Sequence, residues 1–89
     1  MYSDVVDVKP VAPRTLKIQF FDGLSGTILL EPSYCTGVFL PLLDNEIFSQ
    51  ARVEHGAVTW PNGLDLAPDT MYQEIKKSQN HHYVVGSSF

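Results

Sequence analysis

Ten carboxylates, three histidines and one cysteine are the groups from which this chain can build a reactive centre. General acid–base work needs two carboxyl groups held near one another, and Asp44, Glu46, Glu54, Asp65 and Asp69 are the candidates. Asp44 and Asp69 stand where helix starts want an acceptor or a negative charge, and Glu54 falls on the solvent side of a strand. Asp65 differs: flanked by Leu64 and Leu66, it is expected to accept backbone N–H bonds in a strand-to-helix turn or to contact a ligand. With Trp60 and Asn62 it marks a candidate binding corner, in which Trp60 is either a core plug or an exposed aromatic. His81-His82 sit on the polar stretch "KKSQNHH" without a partner at metal-ligand spacing, which reads as solvated chain. Cys35 and His55 could pair as nucleophile and base, but a lone Cys is more often a small core residue. No nucleophile elbow, phosphate loop or dinucleotide fingerprint occurs. No catalytic residue, metal ligand or cofactor site is assigned.

These side chains need elements to hold them. "SDVVDVKPVAP" is rich in β-branched residues and then in prolines, as an edge strand tolerates. "RTLKIQFFDG" alternates, with Leu16, Ile18 and Phe20 on one face, which is the period of a half-buried strand. Asp22-Gly23 turns the chain, and "SGTILLEP" returns as a third strand. In "SYCTGVFLPLLDNEIFSQARV", Gly37 and Pro41 forbid a long helix. The apolar Val38, Phe39, Leu40, Leu42 and Leu43 predict a buried crossing of the sheet, followed by a helical turn. Asp44 caps that turn, and Leu43 is expected to staple onto Phe48. "ARVEHG" and "AVTWPNG" form a second hairpin, with Val53 and His55 on one strand and Val58 and Trp60 on the other. Pro61-Asn62-Gly63 ends the strand, Leu64 and Leu66 turn inward, and a helix starts at Pro68 with Ala67 as N-cap. Met71, Tyr72 and Ile75 make its apolar face, Leu66 and Met71 its staple, and Lys76 and Lys77 suit its C-terminal end. No internal repeat is visible.

The fold class that follows is α+β: a small antiparallel sheet of two meander-like hairpins, with one or two short helices on one face. Residues 1–77 form a single domain. Residues 78–89 are a tail whose Tyr83, Val84, Val85 and Phe89 make a short β-like stretch. It either docks as an edge strand on its own sheet, stays flexible, or joins a partner's sheet.

A chain of 89 residues buries only roughly 60–65% of its unfolded surface, so a partner or a second copy would add to its stability. The net charge of −4 and six scattered cations argue against neutralising nucleic acid phosphates. One cysteine permits no internal disulfide. "MYSDVVDVKP" lacks the features of a signal peptide, and "GVFLPLL" is too short to span a bilayer. A soluble cytoplasmic protein is expected.

"LKIQFFDG" and "GVFLPLLDNEIFSQARVEHGAVTWPNGLDLAPDTMY" resemble the small bacterial proteins of domain of unknown function family 2442. That family's pattern is a strand ending Phe-x-Asn/Asp-Gly, then Leu-x-Asp-x-x-x-Phe, then Trp-Pro-Asn-Gly-x-Asp and a short helix ending Leu-Tyr. Here it falls on Phe21, Asp22 and Gly23; on Leu43, Asp44 and Phe48 in shifted spacing; and on Trp60 through Asp65 with Met71-Tyr72. Ala67 stands where the family often has a capping Ser or Asp, a change that weakens a helix by about 1 kcal/mol. The resemblance covers roughly residues 4 to 75. It implies an α+β fold and no established reaction. It also implies a setting beside a second small protein, in an arrangement like a toxin–antitoxin pair. Some family members add a DNA-reading helix-turn-helix; no such helix is expected in residues 73–89, which weakens a repressor role.

The leading expectation is therefore a non-enzymatic protein-binding module, antitoxin-like, that holds a small partner protein. A homo-oligomeric structural domain is one alternative. A small-ligand binder or enzyme using Asp65 and Trp60 is another.

Overall fold

The computed structural model describes residues 4–85, and the α+β class stands. Strands β1 (Val5–Ala12), β2 (Thr15–Phe20) and β3 (Ser25–Leu30) form the expected antiparallel meander. The alternation of β2 is literal: Leu16, Ile18 and Phe20 are fully buried, while Lys17 and Gln19 are exposed. At the edge strand β1, pairing steps from Val5↔Phe20 to Asp7↔Gln19 and from Pro10↔Leu16 to Ala12↔Thr15. Val6 and Val11 are thus the extra residues of two bulges, and both are exposed. Bulges and a proline are devices that keep an edge from pairing with another chain.

The segment after β3 departs from expectation. Residues Gly37–Leu43 form a 3-10 helix around Pro41, followed by the single turn α1 (Asn45–Phe48). Three residues per turn put i and i+3 on one side, so Leu40 and Leu43 share the solvent face, 56% and 46% exposed, while Leu42 is fully buried. Leu43, expected to staple onto Phe48, is thus left half exposed. Asp44 does cap α1, its Oδ1 accepting the Glu46 N–H at 2.9 Å.

A second sheet contains β4 (Arg52–Glu54), β5 (Ala57–Thr59) and β6 (Asp65–Leu66). His55 is not a strand residue: it turns the β4–β5 hairpin at φ +53 beside Gly56 at φ +77. The Pro-Asn-Gly run does more than end a strand, since β5 continues through it into the two-residue β6. Its loop duplicates the β2–β3 loop. In residues 20–24 and 60–64 the aromatic N–H donates to the leucine carbonyl (2.7 and 2.9 Å), and the glycine N–H returns to the aromatic carbonyl (3.0 Å in both). The Asx Oδ1 accepts the leucine N–H (2.9 and 3.2 Å). Gly23 and Gly63 take φ +96 and +91, which glycine adopts without a Cβ penalty. Phe-Phe-Asp-Gly-Leu and Trp-Pro-Asn-Gly-Leu are one loop written twice.

Helix α2 (Pro68–Lys77) begins at Ala67 with no side-chain cap, buries Met71 and Ile75, and packs on β3. The chain then turns at residues 78–81 and enters β7 (His82–Val85), which lies parallel to β3 at the end of the four-stranded sheet. Part of the sequence expected as a tail is thus a sheet strand, and a parallel one. The core joins both sheets: Phe20, Phe48, Trp60, Ile28, Leu30, Met71 and Ile75 are among its buried members.

Candidate functional site

The residues singled out by sequence separate into two places. Trp60 is a core residue, 1% exposed, whose Nε1–H donates to the Phe48 carbonyl at 2.9 Å, with the two rings 6.0 Å apart. Asn62 is exposed and occupied with its own turn. Asp65 is exposed on β6, and among the described residues no backbone N–H donates to its side chain, contrary to expectation. The reason is alternation: Leu66 takes the inward position of a strand, so its neighbour must face out. The Trp60–Asn62–Asp65 corner does not converge. Cys35 is buried, its thiol pushed up by desolvation, while His55 sits on an exposed turn. Among the described residues, no three His, Cys, Asp or Glu side chains gather as a metal site, and no helix is long and apolar enough to cross a membrane.

Tyr83, Val84 and Val85 do come together with other groups, whereas Phe89 lies outside the described residues. Pairing with Ile28 and Leu30 places Tyr83 and Val85 on the core side of the sheet, and pairing with Leu29 places Val84 on the outer side. A hollow of about 520 Å³ opens beside them, lined by Tyr34, Leu66, Met71, Tyr83 and Val85 with Ser33, Ala67 and Thr70 at its margin. None of these side chains is charged at neutral pH. Burial, reinforced by Tyr83, pushes the Tyr34 phenol above its ordinary value; burial and then Glu74 do the same to Tyr83. A second hollow, of about 310 Å³, is lined by Glu74, Lys77, Ser78, His82, Tyr83 and Val84. Positions 67, 70, 71, 74, 77 and 78 recur at helical spacing, so one stripe of α2 walls both hollows. Tyr83 belongs to both. The α2–β7 groove therefore follows the sheet edge from its apolar to its polar end.

That edge has hydrogen-bonding capacity to spare. The Thr27 N–H donates to His81 O (2.9 Å) and the Glu31 N–H to Val85 O (3.0 Å). In a parallel ladder, alternate residues turn both backbone groups to the same neighbour. His81, Tyr83 and Val85 thus face β3, while His82 and Val84 face outward. The His82 N–H confirms the direction by donating to Ser78 Oγ at 3.2 Å. Among the described residues no strand lies on that side of β7, which leaves the N–H and C=O of Val84 and the C=O of His82 without a backbone partner among those residues.

The groove is held in place from the far side of α2. The Tyr72 hydroxyl donates to Asp22 Oδ2 in the β2–β3 loop, its ring meets Phe20 edge-on (centroids 5.1 Å apart), and Lys76 Nζ lies 5.6 Å from the Tyr72 ring centre. The Tyr72 hydroxyl, and then the Leu24 N–H, hold the Asp22 carboxyl below its ordinary pKa. A lowered folded-state pKa contributes stability above the unfolded value, about 3.9, and loses it as pH falls through the folded value. Tyr72→Phe is expected to bring the Asp22 pKa back toward ordinary and to flatten the acid limb of the stability–pH curve. A carboxyl titration by NMR checks the first effect, and denaturant melts at several acidic pH values the second.

Sequence reasoning missed Ser33 and Tyr34, which lie in a loop without periodicity. The only signal was a tyrosine between Pro32 and the buried Cys35.

Fold and site together define a small α+β domain with two Asx-Gly hairpin loops and an open strand edge beside an apolar groove. The chain belongs to the family described as protein of unknown function (DUF2442), which it matches over residues 5–77. That span includes both loops and α2 and stops short of β7. No curated protein and no solved structure matches the chain.

Proposed function

We propose that this chain is a non-enzymatic protein-binding module that takes an extended segment of a small partner protein along the outer edge of β7. The observation that carries this is the juxtaposition of an unpaired strand edge with a neutral apolar hollow sharing Tyr83. Strand addition works in this way: main-chain bonds supply affinity, and pockets for alternate side chains supply specificity. A partner encoded alongside, as the family resemblance implies for an antitoxin-like pair, suits this role.

Val84→Pro tests the reading. Proline removes the outward N–H and obstructs strand addition, yet takes no bond from the β3 ladder and is tolerated at an edge. Losing two or three main-chain bonds of about 1 kcal/mol each is expected to weaken partner capture roughly 30- to 150-fold, with an unchanged far-UV circular dichroism spectrum. Equal retention of the same partner by both forms counts against the edge. A mass that rises with concentration in the wild type alone would assign the edge to a second copy of the chain.

A further inference from the structure

We infer, resting on that reading of β7, that the incoming segment runs antiparallel to β7 and carries the pattern apolar–any–apolar–acidic. Register dictates the alternation. A residue opposite Val84 exchanges two bonds with it and lies on the outer face, so its neighbours, opposite Val85 and Tyr83, enter the groove. There they meet Tyr34, Leu66 and Met71 in a hollow that no charged side chain lines, which selects apolar side chains; Glu74 and Lys77, which line the adjoining hollow with Tyr83, are paired with each other. The next residue lies opposite His82, again on the outer face, and donates its N–H to the free His82 carbonyl. Antiparallel entry is chosen because one partner residue then closes both bonds to Val84, the more stable of the two ladder arrangements.

The acidic position follows from a row of side chains that begins with two lysines and ends at His82. Register aligns Lys9↔Lys17, Lys17↔Thr27 and Thr27↔His82 across the solvent face of the sheet. Like charges set directly opposite one another are unfavourable, and neither lysine has an ion-pair partner among the described residues, whereas Lys77 is paired with Glu74 at 3.0 Å and Arg52 with Glu54 at 2.6 Å. The carboxylate on this face of the strands, Asp7, is one row away on the far strand β1. Thr27 Oγ1 lies 2.7 Å from His82 Nδ1. With the threonine hydroxyl donating, the ring proton is on Nε2, where even a neutral imidazole can donate to an incoming carboxylate. An added strand extends the row by one place, so an acid at that place stands opposite His82 and accepts from its Nε2, while the lysines lie three and four strand spacings away and are largely screened.

The test is selection from a random decapeptide library displayed on phage, panned in parallel against the full wild-type chain, Val84→Pro and His82→Glu. Wild type is expected to enrich peptides with two apolar residues spaced by two and Asp or Glu directly after the second. A synthetic copy of the most enriched peptide with its acid changed to the amide is expected to bind about threefold more weakly. His82→Glu is expected to replace the acid by Lys or Arg. Peptides lost on Val84→Pro but without an acid preference, with the acid ahead of the apolar pair, or unaffected by His82→Glu overturn this inference and leave the edge reading standing. Enriched peptides that Val84→Pro still retains overturn the edge reading itself.

Discussion

Trp60→Ala is expected to remove about a quarter or more of the stability of this domain. Truncating a buried tryptophan costs about 3–5 kcal/mol, and 89 residues at about 0.05–0.15 kcal/mol each hold about 4–13 kcal/mol in total. Trp60 is the largest buried side chain and ties the loop between β5 and β6 to α1 through Phe48, by ring contact and through its Nε1–H bond. The Phe48 carbonyl keeps a second donor, the Ala51 N–H at 3.2 Å, so the loss is chiefly one of packing. Urea melts followed by circular dichroism measure it. Trp60→Phe is expected to cost less than half as much. A Trp60→Ala chain as stable as wild type would mean that the indole is not in the core, and the binding corner at Trp60 and Asp65 would be reopened.

Gly26→Ala is the second large effect, and it bears directly on the groove. A Cβ at Gly26 would sit 2.4 Å from His81 O and 2.6 Å from Ile75 Cγ2. The first of these is backbone and cannot rotate away, so the α2–β7 turn must move off β3. It would strain the Thr27 N–H bond to His81 O as it went. Overpacking of this kind costs about 1–3 kcal/mol, or about 10 °C in Tm for a domain of this size. Because β7 moves, Gly26→Ala is expected to lose partner binding even where it remains folded. Thermal melts and partner capture on one sample check both. An unshifted Tm would show that α2 and β7 do not close on β3 as described.

These two residues also show what local pattern can and cannot convey. Strand β2 was legible because Leu16, Ile18 and Phe20 alternate with polar neighbours over a full strand, and α2 because Pro68, Asp69, Met71 and Ile75 occupy start and face positions together. Strand β6 is two residues long, too short for periodicity to register, so the Trp-Pro-Asn-Gly run read as a stop instead of a loop. Comparison with the loop at residues 20–24 would have exposed it, since aromatic-x-Asx-Gly-Leu occurs in both. Asp65 was misplaced for the same reason: once Leu66 is a strand residue, Asp65 must face water. Leu40 and Leu43 were expected inside because apolarity alone cannot distinguish a buried crossing from a 3-10 helix that turns every third residue outward. The candidate site was half legible. Tyr83, Val84 and Val85 stood out as a β-like stretch, but the parallel pairing of β7 with β3 is a long-range choice that leaves no local pattern. Only that pairing brings Tyr34 and Met71 alongside them.

Strand pairing also dictates how the role of β7 should be probed. Removing residues 78–85 would take Tyr83 and Val85 out of the sheet and core together, so loss of binding would merely report loss of fold. The direct measurement is amide hydrogen exchange along β7 in the dilute free chain and again with the captured partner at saturation. The account predicts slow exchange at Tyr83 and Val85 and fast exchange at Val84 in the free chain, with Val84 becoming slow on binding. Protection of Val84 in the free chain, or exchange at Val84 that the bound partner leaves unchanged, would contradict it.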